Sequence, residues 1–244
     1  MDAIFITARL KSSRLKRKVL IEVNEKPVIG YLIDRLKANT DVPIVLCTSD
    51  NPEDEPLVSL ADSYGISHFS GSEDDVIERY YEACQAFNVD RFYIVYGDEP
   101  FTDIEVMRDT FSVMDRSALI WVKNDNLIDG TFGYGMTGPA IALANKEKIS
   151  ENNEVWGAMI PGMDIEIVEP RSGIENFDED VRLTIDYPED LEVFQKLIDY
   201  VGEAYKTVDI QTLKTIYREL DLGKINFDRI AEYNARIAKQ GEYA

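Results

Sequence analysis

The sequence predicts an α/β protein with three layers, in which a mostly parallel central sheet lies between helices and further helices form the C-terminal end. Three observations indicate this fold. Short apolar segments alternate with amphipathic stretches of about ten residues through the first half, a pattern typical of βαβ units. A strongly basic loop directly follows the first apolar segment, Ala3–Thr7. Beyond Pro188 the apolar residues recur at helical spacing to the end of the chain.

The first half contains four apolar segments that are short enough to be buried strands. The expected strands are Ala3–Thr7, Pro43–Thr48, Ile66–Phe69 and Phe92–Tyr96. Helical spacing of apolar residues predicts helices between and after them, at Val28–Leu36, Glu53–Tyr64, Asp74–Ala86 and Ile104–Met114. Strands separated by single helices favour parallel pairing with right-handed crossovers.

The middle of the chain is less regular. Further strands are expected at Ala118–Val122, Ala140–Ala144 and Asp164–Val168, and C-terminal helices at Leu191–Val201, Ile210–Leu220 and Phe227–Ala238. The segment Gly133–Gly138 has the spacing G-x-G-x-x-G, but no clear strand precedes it, so a loop is favoured over a dinucleotide site. Because no linker rich in Gly, Ser or Pro interrupts the chain, we expect one domain over residues 1–244.

Composition narrows the class of protein. The chain carries 46 Asp and Glu against 26 Lys and Arg, a net charge of −20, which argues against nucleic acid and anionic membranes as partners. Two cysteines without C-x-x-C spacing favour a reducing compartment. No apolar stretch approaches the roughly 20 residues that cross a bilayer, and the N-terminus lacks the order of a signal peptide. We therefore expect a soluble cytoplasmic protein.

The basic loop is the strongest functional signal. Six of the 26 Lys and Arg residues lie within Arg9–Lys18, and in an otherwise acidic chain such a cluster suits a polyphosphate. The loop contains no glycine, so it differs from the G-x-x-x-x-G-K-[ST] phosphate loop and must bind with side chains and loop amides. Arg9 and Arg14 suit bidentate phosphate contacts, and Lys18 suits a point charge on a leaving oxygen. The alternative is a solvated basic turn.

Two aspartates follow apolar segments directly. Asp98 comes after the expected strand Phe92–Tyr96, and Asp186 ends the run Arg182–Ile185. Mg²⁺ favours one or two carboxylates together with phosphate oxygens, so these residues are candidate metal ligands. Capping of the following helices is the alternative for both.

Several short motifs, in this order, resemble the cytidylyltransferases of the CMP-sugar synthetase group, above all the branch associated with spore-coat polysaccharide synthesis and, more distantly, CMP-Kdo synthetases. The motifs are R-x-x-S-S-R-L-x-x-K at Arg9–Lys18, K-P at Lys26-Pro27, T-S-D-N-P-E-D at Thr48–Asp54, G-S-E-D-D-V-I-E-R-Y-Y at Gly71–Tyr81, G-D-E-P at Gly97–Pro100 and R-L-T-I-D-Y-P-E-D-L-E at Arg182–Glu192. The resemblance implies a Rossmann-like fold of the nucleotide-diphospho-sugar transferase type.

The resemblance also implies a reaction, in which CTP and an acidic small-molecule acceptor give a CMP conjugate and pyrophosphate with Mg²⁺. Arg9, Arg14 and Lys18 would act on the triphosphate, and Asp98 and Asp186 would hold the metal. The implied nucleotide-binding residues are Ala8, Arg9, Ser12, Ser13, Arg14, Lys18, Thr48, Ser49, Asp50, Ser72 and Tyr96. Arg79 would border the nucleotide or the acceptor. Trp156 lies outside these motifs and is a candidate for contact with the acceptor or with the partner of a dimer. Residues 1–116 would be the nucleotide-binding half, 117–187 the acceptor and dimerisation half of a homodimer, and 188–244 the C-terminal helices.

Two departures from the family pattern leave the acceptor open. Lys11, Lys16 and Arg17 stand where the family usually has Gly, Pro and Gly, and the usual R-E-H-V-T-like segment is replaced by residues 153–159, which include Trp156. Two other functions therefore stay open: a glycosyltransferase that uses a nucleotide-sugar donor, and a non-catalytic nucleotide-binding or assembly subunit. The dense positive charge of the loop Arg9–Lys18 argues against the glycosyltransferase. The paired aspartates, Asp98 and Asp186, argue against the non-catalytic subunit.

Overall fold

The computed structural model describes residues 1–12, 14–123, 127–150, 160, 162–168, 180–230 and 232. Its described strands are β1 (Asp2–Thr7), β2 (Glu22–Val23), β3 (Lys26–Pro27), β4 (Ile44–Ser49), β5 (Ser67–Gly71), β6 (Arg91–Tyr96), β7 (Ile120–Val122), β8 (Tyr134–Thr137) and β9 (Glu166–Val168). The α-helices are α1 (Val28–Asn39), α2 (Glu55–Tyr64), α3 (Val76–Phe87), α4 (Ile104–Val113), α5 (Gly138–Glu147), α6 (Pro188–Val201) and α7 (Ile210–Glu219). Residues 223–230 are also helical.

The central sheet has seven strands in the order β5-β4-β1-β6-β8-β7-β9, and β2 and β3 form a separate hairpin. The pairs β4–β5, β1–β4, β1–β6 and β7–β9 are parallel, whereas β8 runs antiparallel to both β6 and β7. The mostly parallel sheet is confirmed. Because β5, β4, β1 and β6 all point the same way, the loops that follow them meet at one edge of the sheet, where open α/β sheets bind ligands.

Successive side chains of β1 point to opposite faces of the sheet, so the apolar core is divided between the two faces. Ala3 and Phe5 pack with α3 and α5 on one face, whereas Ile4 and Ile6 pack with α1, α2 and α4 on the other. This arrangement gives the three expected layers. A further apolar cluster packs α6 and α7 against Tyr31 of α1, so the C-terminal helices cover one end of the domain. Among the described residues, no helix is long and apolar enough to cross a membrane.

The structure corrects two expectations in the middle of the chain. Ala140–Ala144, expected as a strand, lies inside helix α5, in which Pro139 occupies the first turn and Ala140, Ile141 and Ala144 are buried along one side. Gly133–Gly138, expected as a loop, contains strand β8. Gly135 is needed there because a side chain would meet Thr110 Cγ2 at 2.4 Å, so glycine here permits close packing of α4.

Candidate active site

The candidate site lies where β1 and β6 end side by side. Thr7 pairs with Tyr96 at the last position of this ladder, and the Gly97 amide donates to the Thr7 carbonyl at 2.9 Å. Ala8, expected near the nucleotide, follows β1 and is almost completely buried. A side chain at Gly97 would meet Ala8 Cβ at 3.0 Å, so the two loops leave the sheet in close contact.

Lys18, Asp98 and Asp186 form the centre of the site. The Lys18 ammonium contacts the Asp98 carboxylate directly and lies 2.7 Å from Asp186 Oδ1. Asp98 stands immediately beyond β6, whereas Asp186 follows an extended segment that is joined to the sheet region by a bridge between Asp129 and Arg182. The amide of Ile185 donates to the Asp98 carbonyl at 3.0 Å, which aligns the two segments that carry the aspartates. The structure thus brings together three residues that were selected from the sequence.

The charges in this centre reinforce one another. Burial favours the neutral amine of Lys18, but the attraction of Asp98 and Asp186 outweighs it and raises the pKa of Lys18. Burial likewise opposes ionisation of Asp186, yet Lys18, Arg14 and Arg182 lower the pKa of that carboxyl. Only 13% of the Lys18 side chain and 6% of the Asp186 side chain are exposed. The ion pair is therefore fully charged at neutral pH and poorly screened by solvent.

Arg14 adds a second cation from the same loop. Its guanidinium contacts Asp186 Oδ1 and lies 5.4 Å from the ring centroid of Tyr187. Ser12 accepts a hydrogen bond from the Leu15 amide at 3.4 Å, which helps to turn the loop between Arg9 and Arg14. Arg14 and Lys18 therefore point at the same carboxylate from one loop.

Arg9 and Lys11 lie toward the loops that follow β4 and β5. Arg9 donates to the Glu73 carbonyl at 2.8 Å, and Lys11 pairs with the Glu73 carboxylate at 2.8 Å. The other carboxylate oxygen of Glu73 accepts from Asn51 at 2.9 Å. Glu73, to which the sequence assigned no role of its own, thus joins the basic loop to the loops after β4 and β5.

The start of the basic loop is fixed by a buried carboxylate. Asp54 Oδ1 accepts from the Leu10 amide at 2.7 Å, and Asp54 Oδ2 accepts from the Ser49 hydroxyl. Ser49 and Asp54 are both buried. Ser49 therefore serves at least one structural purpose, since its hydroxyl orients the carboxylate that holds the loop.

The other expected nucleotide residues surround the ends of β4, β5 and β6. Thr48 is fully buried, and its hydroxyl has no hydrogen-bond partner within the described part of the chain. Asp50 is exposed, and its amide donates to the Gly71 carbonyl at 2.7 Å. Ser72 Oγ accepts from the Asp75 amide at 3.0 Å. Tyr96 ends β6, partly buried.

Arg79, expected to contact the acceptor, is almost completely buried on α3. Its guanidinium donates to the Ser72 carbonyl at 2.8 Å, and burial lowers its pKa. This contact shapes the segment after β5. Ser13 and Trp156, the two remaining predicted residues, lie outside the described residues.

The residues that surround Asp186 on its buried side were not expected from the sequence. Arg182, whose side chain is 1% exposed, contacts the carboxylates of Asp129, Asp186 and Asp190. Arg182 and Asp190 belong to a motif already noted, but Asp129 carries no sequence signal because it lies 53 positions from Arg182.

Glu99 follows Asp98 and has a different electrostatic environment. Burial and the neighbouring Asp98 and Asp129 raise the pKa of Glu99 well above its ordinary value. One of its carboxylate oxygens accepts from the Tyr96 amide at 3.4 Å. The surroundings thus favour a neutral Glu99.

The paired aspartates fit a divalent metal. Both carboxylates contact one atom, Lys18 Nζ, so their oxygens lie within reach of a single small cation. Among the described residues, no three or more Asp, Glu, His or Cys side chains are placed so that they could hold one metal ion together. Two carboxylates, completed by phosphate oxygens of a substrate, are a donor set that Mg²⁺ takes in phosphate-transfer sites.

Known proteins resemble the chain in sequence. A family model described as cytidylyltransferase matches residues 3–129. The uncharacterized protein MJ1063 of Methanocaldococcus jannaschii is 30% identical over 205 residues, which are 79% of this chain and 81% of that protein. The spore coat polysaccharide biosynthesis protein SpsF of Bacillus subtilis is 30% identical over 43% of this chain, and the 3-deoxy-manno-octulosonate cytidylyltransferase of Wigglesworthia glossinidia brevipalpis is 28% identical over 62%. The chain spans 47% and 57% of these last two proteins.

Solved structures share the fold. A cytidylyltransferase from Leptospira borgpetersenii superposes with a TM-score of 0.81 at 21% identity, covering 91% of this chain and 95% of that one. A CMP:2-keto-3-deoxy-manno-octonic acid synthetase complexed with CTP gives a TM-score of 0.58 at 17% identity, covering 82% of this chain and 98% of that one. At these identities the likeness establishes the fold of the chain.

Proposed function

Since the chain belongs to the cytidylyltransferase family, we propose that it transfers CMP from CTP to a sugar acid or related acidic acceptor, with Mg²⁺ and release of pyrophosphate. The product would serve cell-surface glycan biosynthesis. The relatives whose names refer to spore coat polysaccharide and to 3-deoxy-manno-octulosonate support this assignment.

One observation carries the proposal. The carboxylates of Asp98 and Asp186 both contact the Lys18 ammonium, and the Arg14 guanidinium contacts the Asp186 carboxylate. Two carboxylates beside two cations are suited to a metal-bound polyphosphate, because the carboxylates attract the metal and the cations attract the phosphate oxygens. The position at the carboxyl edge of the sheet agrees with this use.

In the proposed reaction an acceptor oxygen forms a bond to the α-phosphorus of CTP while the bond from that phosphorus to the bridging oxygen breaks. Mg²⁺ held by Asp98 and Asp186 would supply charge neutralisation at the α-phosphate. Lys18, Arg14 and Arg9 would stabilise the negative charge that develops on departing pyrophosphate. Where the attacking oxygen is itself ionised, as in a carboxylate or phosphate, no general base is needed; where it is a sugar hydroxyl, its pKa would be lowered by Mg²⁺ and the proton would pass to solvent.

The basic loop itself supports an acidic acceptor. Lys16 and Arg17, which directly precede Lys18 in sequence, are both exposed on a chain whose net charge is −20. Without such cations the acidic protein would repel a second anion.

The test combines nucleotide binding with turnover. The thermal midpoint should rise with CTP and Mg²⁺ more than with UTP, ATP, GTP or NAD, because a ligand at 100 times its dissociation constant adds about 2.7 kcal/mol. Pyrophosphate release from CTP should then depend on addition of a sugar acid. Stabilisation by a nucleotide-sugar alone would favour a glycosyltransferase, and no binding at all would favour a non-catalytic subunit.

A further inference from the structure

Asp186 is held from two opposite sides. Lys18 and Arg14 both contact Oδ1, whereas Arg182 donates to Oδ2 at 2.7 Å. The carboxylate therefore cannot rotate without breaking one of these contacts. Oδ1 is left facing Asp98, and Oδ2 is turned into the protein.

Arg182 is itself held by a carboxylate of helix α6. Its Nε lies 3.3 Å and 3.4 Å from the two oxygens of Asp190, which is buried in the first turn. Asp190 Oδ2 also accepts from the amides of Asp186 and Tyr187, both at 3.0 Å. The same carboxylate thus fixes the backbone of Asp186 and the arginine that orients its side chain.

The C-terminal helices complete this arrangement through Asn226, which is fully buried. Asn226 Nδ2 donates to Asp190 Oδ1 at 3.0 Å, and Tyr217 of α7 donates to Asn226 Oδ1 at 2.7 Å. On the other side of Arg182 its guanidinium contacts Asp129, whose carbonyl accepts from the Leu183 amide at 2.8 Å. Largely buried networks of this kind favour one geometry, because a displaced member would lose partners in a medium of low polarity.

We propose that Arg182 is a positioning residue for nucleotidyl transfer, which holds Asp186 Oδ1 toward Asp98, and that the C-terminal helices act on the site through Asn226 and Asp190. The inference rests on the proposed function, since it gives Asp186 the role of metal ligand. Outer contacts of this type typically contribute 10- to 100-fold to metal affinity or activity.

The test compares Arg182→Lys with Arg35→Lys. Arg35 is a matched control because it is 2% exposed and its guanidinium donates to backbone carbonyls, at Thr102, Tyr205 and Val208. Lysine retains the charge at either position but cannot reproduce the planar fork. Asn226→Ala is a milder third variant, which removes the donor to Asp190 without changing charge.

Binding of Mn²⁺ to the protein is the main readout, followed in the presence of CTP as the loss of the free-ion electron paramagnetic resonance signal beyond the loss that CTP alone causes. We expect Arg182→Lys to weaken Mn²⁺ binding at least tenfold and to lower kcat with little change in KM for CTP. Asn226→Ala should weaken Mn²⁺ binding several-fold, and Arg35→Lys should leave it unchanged even if the thermal midpoint falls.

Unchanged Mn²⁺ affinity in folded Arg182→Lys and Asn226→Ala would overturn the inference, and so would an equal loss in Arg35→Lys. If Arg182→Lys does not fold, Asn226→Ala against Arg35→Lys decides the question by the same comparison. Failure of wild-type protein to bind Mn²⁺ with CTP would instead overturn the proposed metal site, and the positioning role with it.

Discussion

Lys18 Nζ lies 2.7 Å from Asp186 Oδ1, although the two residues are 168 positions apart in the chain. The contact joins the basic loop after the first strand to the segment before helix α6. It also places a protein cation between the two carboxylates that we assign to the metal. Nucleotide binding would give Lys18 and Arg14 a different partner, the triphosphate, and make both carboxylates available to Mg²⁺.

The first prediction concerns Asp98→Asn. The amide keeps the shape of the side chain but removes one of the two negative charges, so we expect pyrophosphate release to fall at least 1,000-fold, on the order of a missing 4 kcal/mol in the transition state. Circular dichroism should show an intact fold. Asp62→Asn, at a largely exposed position on helix α2, is the control and should retain full activity. Undiminished turnover in Asp98→Asn would contradict the metal assignment.

The second prediction concerns Lys18→Met, which preserves length and removes the charge. The largely buried carboxylates of Asp98 and Asp186 would lose the ammonium that pairs with both of them. The free energy of unfolding should therefore fall by about 3 kcal/mol. Affinity for CTP should fall as well, because a phosphate contact is lost.

Magnesium should distinguish this explanation from simple loss of packing. Without nucleotide, Mg²⁺ should raise the thermal midpoint of Lys18→Met more than that of wild-type protein, because no ammonium competes for the two carboxylates. Equal shifts in the two proteins, measured by differential scanning fluorimetry, would show that Lys18 and the metal do not share the site.

The third prediction is the pH dependence of the Lys18 contribution. The pKa of Asp186 is lowered from 3.8. The contribution of its ionised carboxylate to the free energy of unfolding is therefore present above pH 3.8 and is lost as pH falls below that value. The pKa of Lys18 is raised from 10.5, so its part is present below pH 10.5 and is lost only as pH rises beyond it. The difference in unfolding free energy between wild type and Lys18→Met should therefore stay flat around neutral pH and shrink in acid. Urea titrations at a series of pH values measure it, and a steep change near neutrality would contradict the assignment.

The main elements of the fold followed from sequence because they depend on local patterns. Strands β1, β4 and β6 are continuous apolar runs, and the helices between them have apolar stripes at helical spacing. The position of Asp98 beside the basic loop also followed, since parallel neighbours end at the same edge, but its direct contact with Lys18 was not expected. The expected strand at Ala140–Ala144 was wrong because a five-residue apolar run does not distinguish strand from helix, and the helix start that Pro139 favours decides between them.

The buried side of the site could not be predicted from local patterns. Asp129 meets Arg182 across 53 positions, and Asn226 meets Asp190 across 36. Such contacts depend on how distant segments pack, which periodicity and spacing do not encode. Arg182 itself stood in a recognised motif, but an arginine in sequence gives no indication of whether it faces solvent or three carboxylates.

The fourth prediction concerns the anchor of the basic loop. In Asp54→Ala the buried Leu10 amide loses its acceptor, so the free energy of unfolding should fall by about 2 kcal/mol. Affinity for CTP should fall too, since Arg9 is adjacent to the released amide. Asp54→Asn is the matched control, because its carbonyl oxygen can still accept from Leu10 and the Ser49 hydroxyl can turn to accept. Urea denaturation and CTP titration should show a clearly smaller loss in the asparagine variant, and equal losses would contradict the role of this acceptor.

The fifth prediction compares two glycines with positive φ. Gly130 has φ +88°, and a Cβ there would lie 2.1 Å from the Thr184 amide nitrogen. Gly65 has φ +61°, and a Cβ there would have open space around it, with none of the described residues within 4 Å. Alanine at Gly65 meets only the left-handed backbone penalty of about 1 kcal/mol. Alanine at Gly130 must also displace backbone, so its cost should reach about 3 kcal/mol or more.

The two variants should differ in function as well as stability. Gly130 follows Asp129, which contacts Arg182, so displacement of this segment disturbs the support of Asp186. Gly65 caps the end of helix α2, where the added methyl group points into open space. At temperatures well below each variant's own thermal midpoint, we expect a lowered kcat in Gly130→Ala and a wild-type kcat in Gly65→Ala. If both variants lose equal stability and both retain full kcat, then the segment around Gly130 neither packs as tightly as the structure indicates nor supports Asp186.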